Sequence, residues 1–193
     1  MAKREEKREH VLEAARQVLE KYGFRKLTLE DVAREANLAT SSLYYYFKNK
    51  RELIQAVAEL ELSLIIQAVE SSMAQADSPE AKIAAMGTAV LDHAVRLSKL
   101  PGLNRQERWA AFAEVDCCVD EFKNKLRQII KDPLDEGVAS GVFAIDDTAM
   151  AAFLIHAGIR GLAEMALDGE LPDNMESGME QMHEFLMNGL RTR

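Results

Sequence analysis

The stretch Leu27–Leu53, LTLEDVAREANLATSSLYYYFKNKREL, limits what this chain can become more than any other. Leu27 precedes Thr28, whose hydroxyl is placed to cap a helix, and Asp31 follows three residues later in the manner of a capping box. Leu29, Val32, Ala33 and Ala36 then keep the spacing of one helical face, ending near Ala36. Asn37 tolerates the positive φ that a sharp turn requires, and Leu38 can anchor that turn in a core. The next helix is predicted over about Thr40 to Phe47, with Thr40 in place to cap it. So short a connection suits a helix-turn-helix and not a hairpin of long antiparallel helices.

The second of these helices has two chemically different sides. A helix advances about 100° per residue, so Leu43 and Phe47 share one face while Ser41 and Tyr45 point nearly the opposite way. Three consecutive tyrosines, Tyr44, Tyr45 and Tyr46, follow three small hydroxyl residues, Thr40, Ser41 and Ser42. Tyr44 and Tyr46 fall on the flanks, where a ring can pack at its base and present its hydroxyl outward. A helix furnished this way suits a DNA groove. Ser41 and Tyr45 would face base edges with Thr40 and Ser42 beside them, and Tyr44, Tyr46, Lys48 and Lys50 would hold phosphates. Thr28, at the start of the preceding helix, could offer its hydroxyl and nearby amides to another phosphate. Few of these side chains pair bidentately with purines, so base choice would lean on thymine methyls, water and groove shape. Glu30 reads as a solvated acid at a helix start, where the dipole favours it.

The net charge of −8 argues against nucleic acid until it is divided by position. Residues 1–53 carry 12 Lys and Arg against 9 Asp and Glu, a net of +3; residues 54–193 carry 12 against 23, a net of −11. Phosphate neutralisation needs only a local patch, so the asymmetry suits an N-terminal nucleic-acid module on an acidic body.

Here the chain resembles the TetR/AcrR family of bacterial transcriptional regulators. The likeness starts at VLEAARQVLEKYGF (Val11–Phe24), runs through LTLEDVAREANL (Leu27–Leu38) and ends in LYYYFKNKREL (Leu43–Leu53), roughly the first quarter of the chain. Asn37 stands where the family usually has Gly, and Ala39 where it usually has Ser or another polar residue. The resemblance implies an all-α protein of about nine helices. An N-terminal three-helix helix-turn-helix domain (1–50) would bind DNA, and a C-terminal helical domain (51–193) would bind a ligand and dimerise.

The remaining segments read as helices too. Before the reading stretch, Val11, Ala15, Val18, Leu19 and Tyr22 form a stripe on a helix from about Arg4, stopped by Gly23. From Lys50 to about Ala76 no Pro or Gly intervenes, and apolar residues on more than one side suggest a long helix touching both the N-terminal module and the body. Ser78-Pro79 starts another, running to about Lys99 before Pro101-Gly102. A shorter helix is expected near Arg105–Ala113, and one from about Val119 to Gly141 that Pro133 should kink or interrupt. Asp146 and Asp147 precede Thr148–Leu167, apolar nearly all round, with Ala157, Gly158 and Gly161 allowing close approach of another backbone. Pro172-Asp173 opens a last helix striped by Met175, Met179, Met182 and Leu186. The two final helices look like half of a four-helix bundle that a second chain completes, and the resemblance implies the same dimer.

The ligand pocket that the resemblance implies would draw on inward-looking positions: Met86, Val90, His93, Trp109, Phe112, Phe122, Leu126, Phe153 and His156. So apolar a lining suggests a hydrophobic inducer. No two histidines share a helix face at metal spacing, and neither a metal nor a cofactor is expected. Adjacent Cys117 and Cys118 rarely satisfy disulfide geometry; they read as spectator cysteines, with a thiol sensor as the sharper alternative. No G-x-S-x-G, phosphate loop or dinucleotide fingerprint appears, so an enzyme is not expected. With no long uncharged apolar run and a charged N-terminus, the expected compartment is the cytoplasm, without a membrane partner. The expected function is a ligand-responsive, sequence-specific DNA-binding regulator, a homodimer on a pseudo-palindromic double-stranded operator and a repressor released by a small inducer. An activator of the same fold, a helical interaction module and a small helical enzyme are the alternatives.

Overall fold

A computed structural model describes residues 2–23, 27–100, 116–171, 184 and 187–190. The longer elements among them are all helices: α1 (Ala2–Tyr22), α2 (Leu29–Glu35), α3 (Thr40–Leu43), α4 (Lys50–Met73), α5 (Pro79–Ser98), α6 (Asp116–Ala139) and α7 (Thr148–Asp168). The chain divides into two compact units, Met1–Leu64 with Arg96–Asp120, and Ile65–Val95 with Glu121–Arg193.

The first unit is built on the apolar stripe of α1. Val11, Ala15, Val18 and Leu19 are buried with Leu27, Leu29, Val32, Ala33, Ala36, Leu43 and Phe47, and Leu53, Ile54, Ala56 and Val57 of α4 close the same cluster. Tyr22, expected on that stripe, instead lies exposed at the end of α1, one residue before Gly23 takes φ 76° and reverses the chain. Thr28 caps α2 by accepting the Asp31 amide at 3.1 Å. Asn37 has φ 54°, the left-handed conformation that Asn adopts more readily than most residues. Leu38 packs against the core beside it.

The second unit has its own core: Ile66 and Val69 of α4, Ile83, Met86 and Val90 of α5, Leu126, Ile130 and Leu134 of α6, and Ala152, Ile155 and Ile159 of α7, with Phe143 and Met187. Pro133, expected to kink or interrupt its helix, lies inside α6, which continues to Ala139. Proline removes one backbone donor and crowds the preceding turn. Its own burial and that of Leu134 beside it oppose that cost, so packing carries the helix past it. α7 begins at an Asp147 cap accepting the Met150 amide at 2.9 Å. It ends at Gly169, where Gly169 N–H donates to Ala166 and Glu170 N–H to Met165, the paired bonds of a Schellman motif.

Among the described residues only one side of α7 is covered. Ala152, Ile155, His156, Ile159 and Ala166 are buried, whereas Met150, Phe153, Leu154 and Met165 are exposed, Leu154 to 61%. By length and hydropathy alone α7 could cross a membrane, a test that soluble core helices also pass. The helix expected near Arg105–Ala113 and the methionine stripe Met175, Met179, Met182 and Leu186 lie outside the described residues.

Candidate nucleic-acid interface

The residues that organise the sequence come together at α2, the turn and α3. Leu43 is completely buried and Phe47 is 2% exposed, so the reading segment is clamped to the core at two points about one turn apart. Opposite them Ser41 is exposed, and Tyr44 and Tyr45 are exposed to 50% and 66%. Thr40 and Ser42 lie half-buried at their sides. Tyr46 packs on the core, with its ring edge-on to Tyr45 at 5.2 Å between centroids. The core contact of Tyr46 thereby supports the more exposed ring.

The regular helix is shorter than the periodicity predicts. α3 is assigned only to Thr40–Leu43, and the tyrosines continue it as tightened turns: Tyr45 N–H donates to Ser42, Tyr46 N–H to Leu43 at 2.8 Å, and Phe47 N–H to Leu43 at 2.9 Å. Consecutive aromatic residues lose rotamer freedom against the preceding turn, which weakens a regular helix there. The N-cap is Ala39 and not Thr40, and no side chain caps it.

A second capping arrangement lies just past the tyrosines. Asn49 Oδ1 accepts the Glu52 amide at 2.9 Å, and Glu52 Oε2 accepts the Lys48 amide at 2.8 Å, so both side chains bind the start of α4. This leaves Lys48 and Lys50 exposed, with no ion pair among the described residues. Thr28 is differently placed. Its hydroxyl donates to Asp31 Oδ2 at 2.8 Å, so a phosphate approaching Thr28 would meet the Asp31 carboxylate and would have to compete for that proton. Asp31 in turn holds Arg34 at 3.0 Å.

Three supports of this interface were not expected from the sequence. His10 Nε2 donates to the Ala36 carbonyl at 3.0 Å, fastening α1 to the end of α2 directly before the turn. Lys21 pairs with Glu35, joining the C-terminal ends of the same two helices, and that bond raises the lysine pKa. The Arg8 guanidinium lies over the Phe47 ring, 5.5 Å from its centroid. Each joins residues distant in the chain, so helical spacing carried no sign of them.

The pocket candidates fall into three groups. Met86, Val90 and Leu126 are buried in the core of the second unit, with Phe122 packed against it; His93 and His156 are buried in the same unit. Burial lowers the His156 pKa, helped by the positive charges of Arg127, Arg160 and Lys123. Phe153 points away from that core and is 48% exposed. Trp109 and Phe112 lie outside the described residues, as do the side chains of Cys117 and Cys118.

Known proteins place this arrangement. The family model "Bacterial regulatory proteins, tetR family" matches residues 11–57, which contain the interface. An uncharacterized HTH-type transcriptional regulator in the dhlA 5′ region of Xanthobacter autotrophicus is 24% identical over 98% of this chain and 93% of its own. The HTH-type transcriptional repressor KstR2 of Mycolicibacterium smegmatis is 25% identical over 72% of this chain and 69% of its own. A TetR-family transcriptional regulator from Pectobacterium atrosepticum, 23% identical, shares the fold with a TM-score of 0.77 over 100% of this chain and 98% of its own. The matched reading segment, the shared fold and relatives named as regulators lead to one conclusion: residues 11–57 carry the DNA-binding module of the bacterial tetR family, in a chain that shares the fold of a TetR-family transcriptional regulator.

Proposed function

We propose that the protein is a dimeric repressor that leaves a pseudo-palindromic operator when a small apolar inducer binds its C-terminal helices. The observation that carries the DNA half of this reading is the two-point burial of Leu43 and Phe47 behind exposed Ser41, Tyr44 and Tyr45. In this reading Ser41 and Tyr45 meet base edges, flanked by Thr40 and Ser42, while Tyr44, Tyr46, Lys48 and Lys50 hold phosphates; Thr28 is the weakest member, because Asp31 engages its hydroxyl. Two modules would enter successive major grooves about 34–36 Å apart, or a multiple of it.

Functionally, residues 1–50 would read DNA and residues 51–193 would sense and dimerise. Dimerisation would use α7 and the final helix: the exposed Met150, Phe153 and Leu154 are apolar surface of the kind that seeks a partner. Among the described residues nothing lies within 4 Å of a Cβ built on Gly158 or Gly161, which leaves room there for a second backbone. Repression is favoured because the relative KstR2 is named a repressor. The inducer would lie among Met86, Val90, Phe122 and Leu126 with His93 or His156 as polar partner, and the protein would work in the cytoplasm.

α4 supplies Leu53, Ile54, Ala56 and Val57 to one core and Ile66 and Val69 to the other. An inducer that repacks the second core would therefore act on α4, provided it binds one arrangement better than the other. Selection of bound DNA from a random pool tests the reading. It should enrich an inverted repeat, bound by two chains; enrichment of a single unrepeated site, or none, would overturn it.

A further inference from the structure

Arg96 stands in the last turn of α5, and its guanidinium forks between two other helices. Nη1 donates to Glu20 Oε1 of α1 at 3.2 Å, and Nη2 to Glu61 Oε2 of α4 at 2.9 Å. The same Glu20 oxygen also accepts Arg16 Nη1 at 2.7 Å, and Arg16 grips Glu13 through Nε and Nη2 at 3.0 and 2.9 Å. Five charged side chains thus form one ladder, and Arg96 is the rung that joins three helices. Glu61 is the most sheltered member, its side chain 12% exposed, while Glu20 and Arg96 keep 34% and 40%.

That degree of exposure makes the ladder a poor source of stability, since partly hydrated ion pairs return little net energy. Its geometry is another matter. A planar guanidinium can satisfy two carboxylates only when they lie along its fixed donor directions, so it opposes sliding or rotation of the helices that carry them. α1 and α4 are the helices that flank the reading segment: α1 is fastened to α2 through His10 and Ala36, and α4 begins at Lys50, directly after the tyrosines.

We propose that Arg96 is a positioning residue for operator recognition, holding α1 and α4 in one relation to the end of α5 so that the reading segment is presented in a single pose. This role rests on the protein being a dimer on a two-part operator. A loosened pose should leave each half-site contact intact while blurring the distance at which two half-sites can be bound together.

The experiment uses full-length protein and the inverted repeat selected from a random pool, rebuilt with one base pair inserted or removed at its centre. The unmodified protein should disfavour both altered spacings by about tenfold or more, as rigid two-head docking demands. Arg96→Met should bind the selected spacing within about threefold of the parent and lose most of that discrimination. Arg96→Lys separates positioning from simple charge: its single ammonium cannot fork, so its melting temperature should match the parent while its spacing discrimination falls. If Arg96→Met does not fold, Glu20→Gln, which weakens one arm of the fork, is read on the same spacing series and should lower discrimination. Parent-like discrimination in Arg96→Lys together with Arg96→Met, or with Glu20→Gln where Arg96→Met does not fold, overturns the proposal. A parent protein that selects no inverted repeat overturns the dimeric operator reading instead, and the two failures are therefore distinguishable.

Discussion

The reading segment and α7 handle apolar side chains in opposite ways. Around α3, Leu43 and Phe47 are sealed in a core supplied wholly by the same unit, and the outward side is hydroxyl, phenol and ammonium. On α7 the inner face is just as well sealed, yet Met150, Phe153 and Leu154 remain outside. Among the described residues one element has its apolar demand met; the other does not. The first is finished as a fold and available for polar recognition, whereas the second is unfinished among the described residues.

The largest expected effect tests the finished side. Leu43→Ala removes a completely buried side chain and should cost about 2–5 kcal/mol in denaturant unfolding of the first unit, with operator binding lost as the tyrosines lose their anchor. A small stability loss with binding intact would show that the segment is not held from behind. Next comes the unfinished side. Leu154→Arg should leave the fold in place and raise the dimer dissociation constant by about a hundredfold or more in sedimentation measurements, as truncating an interface anchor does. Unfolding of the monomer would instead mean that this face belongs to the chain's own core.

Smaller effects dissect the outward chemistry. Tyr45→Ala should reduce discrimination between operator and random DNA by about 1–3 kcal/mol. Lys50→Ala should weaken both alike and lower the salt slope by about one unit. Interchanged behaviour would exchange their roles. The smallest effect concerns His156. Burial depresses its pKa below 6.5, so the folded state resists a proton that the unfolded chain accepts. Stability should therefore decline as pH falls below about 6.5, with no contribution above it, and His156→Gln should flatten that part of a melting-temperature profile. An unchanged profile would place the histidine in a wetter setting.

Short-range chemistry was legible without coordinates. Thr28 and Asp31, Asn37 at φ 54°, Ser78 before Pro79, Asp147 and the start of α4 at Lys50 all depend on neighbours within four residues, and helical spacing alone separated Leu43 and Phe47 from Ser41 and Tyr45. Where the expected elements differ from the structure, the causes differ too: α6 continues without interruption past a buried Pro133, and the consecutive tyrosines tighten the end of α3 by crowding the preceding turn. Phe153, expected at an inward-looking position, is 48% exposed, because a helix apolar nearly all round carries no internal mark of which side its own chain will cover.

Tertiary structure alone decided the long-range fastenings. Arg96 lies 76 residues from Glu20 and 35 from Glu61, and His10 lies 26 from Ala36. On their own helices these are ordinary surface residues of the kind that solvate a charged face. Their partners depend on how three helices cross, a matter settled by the packing of many apolar side chains at once and not by the identity of any neighbour in the chain.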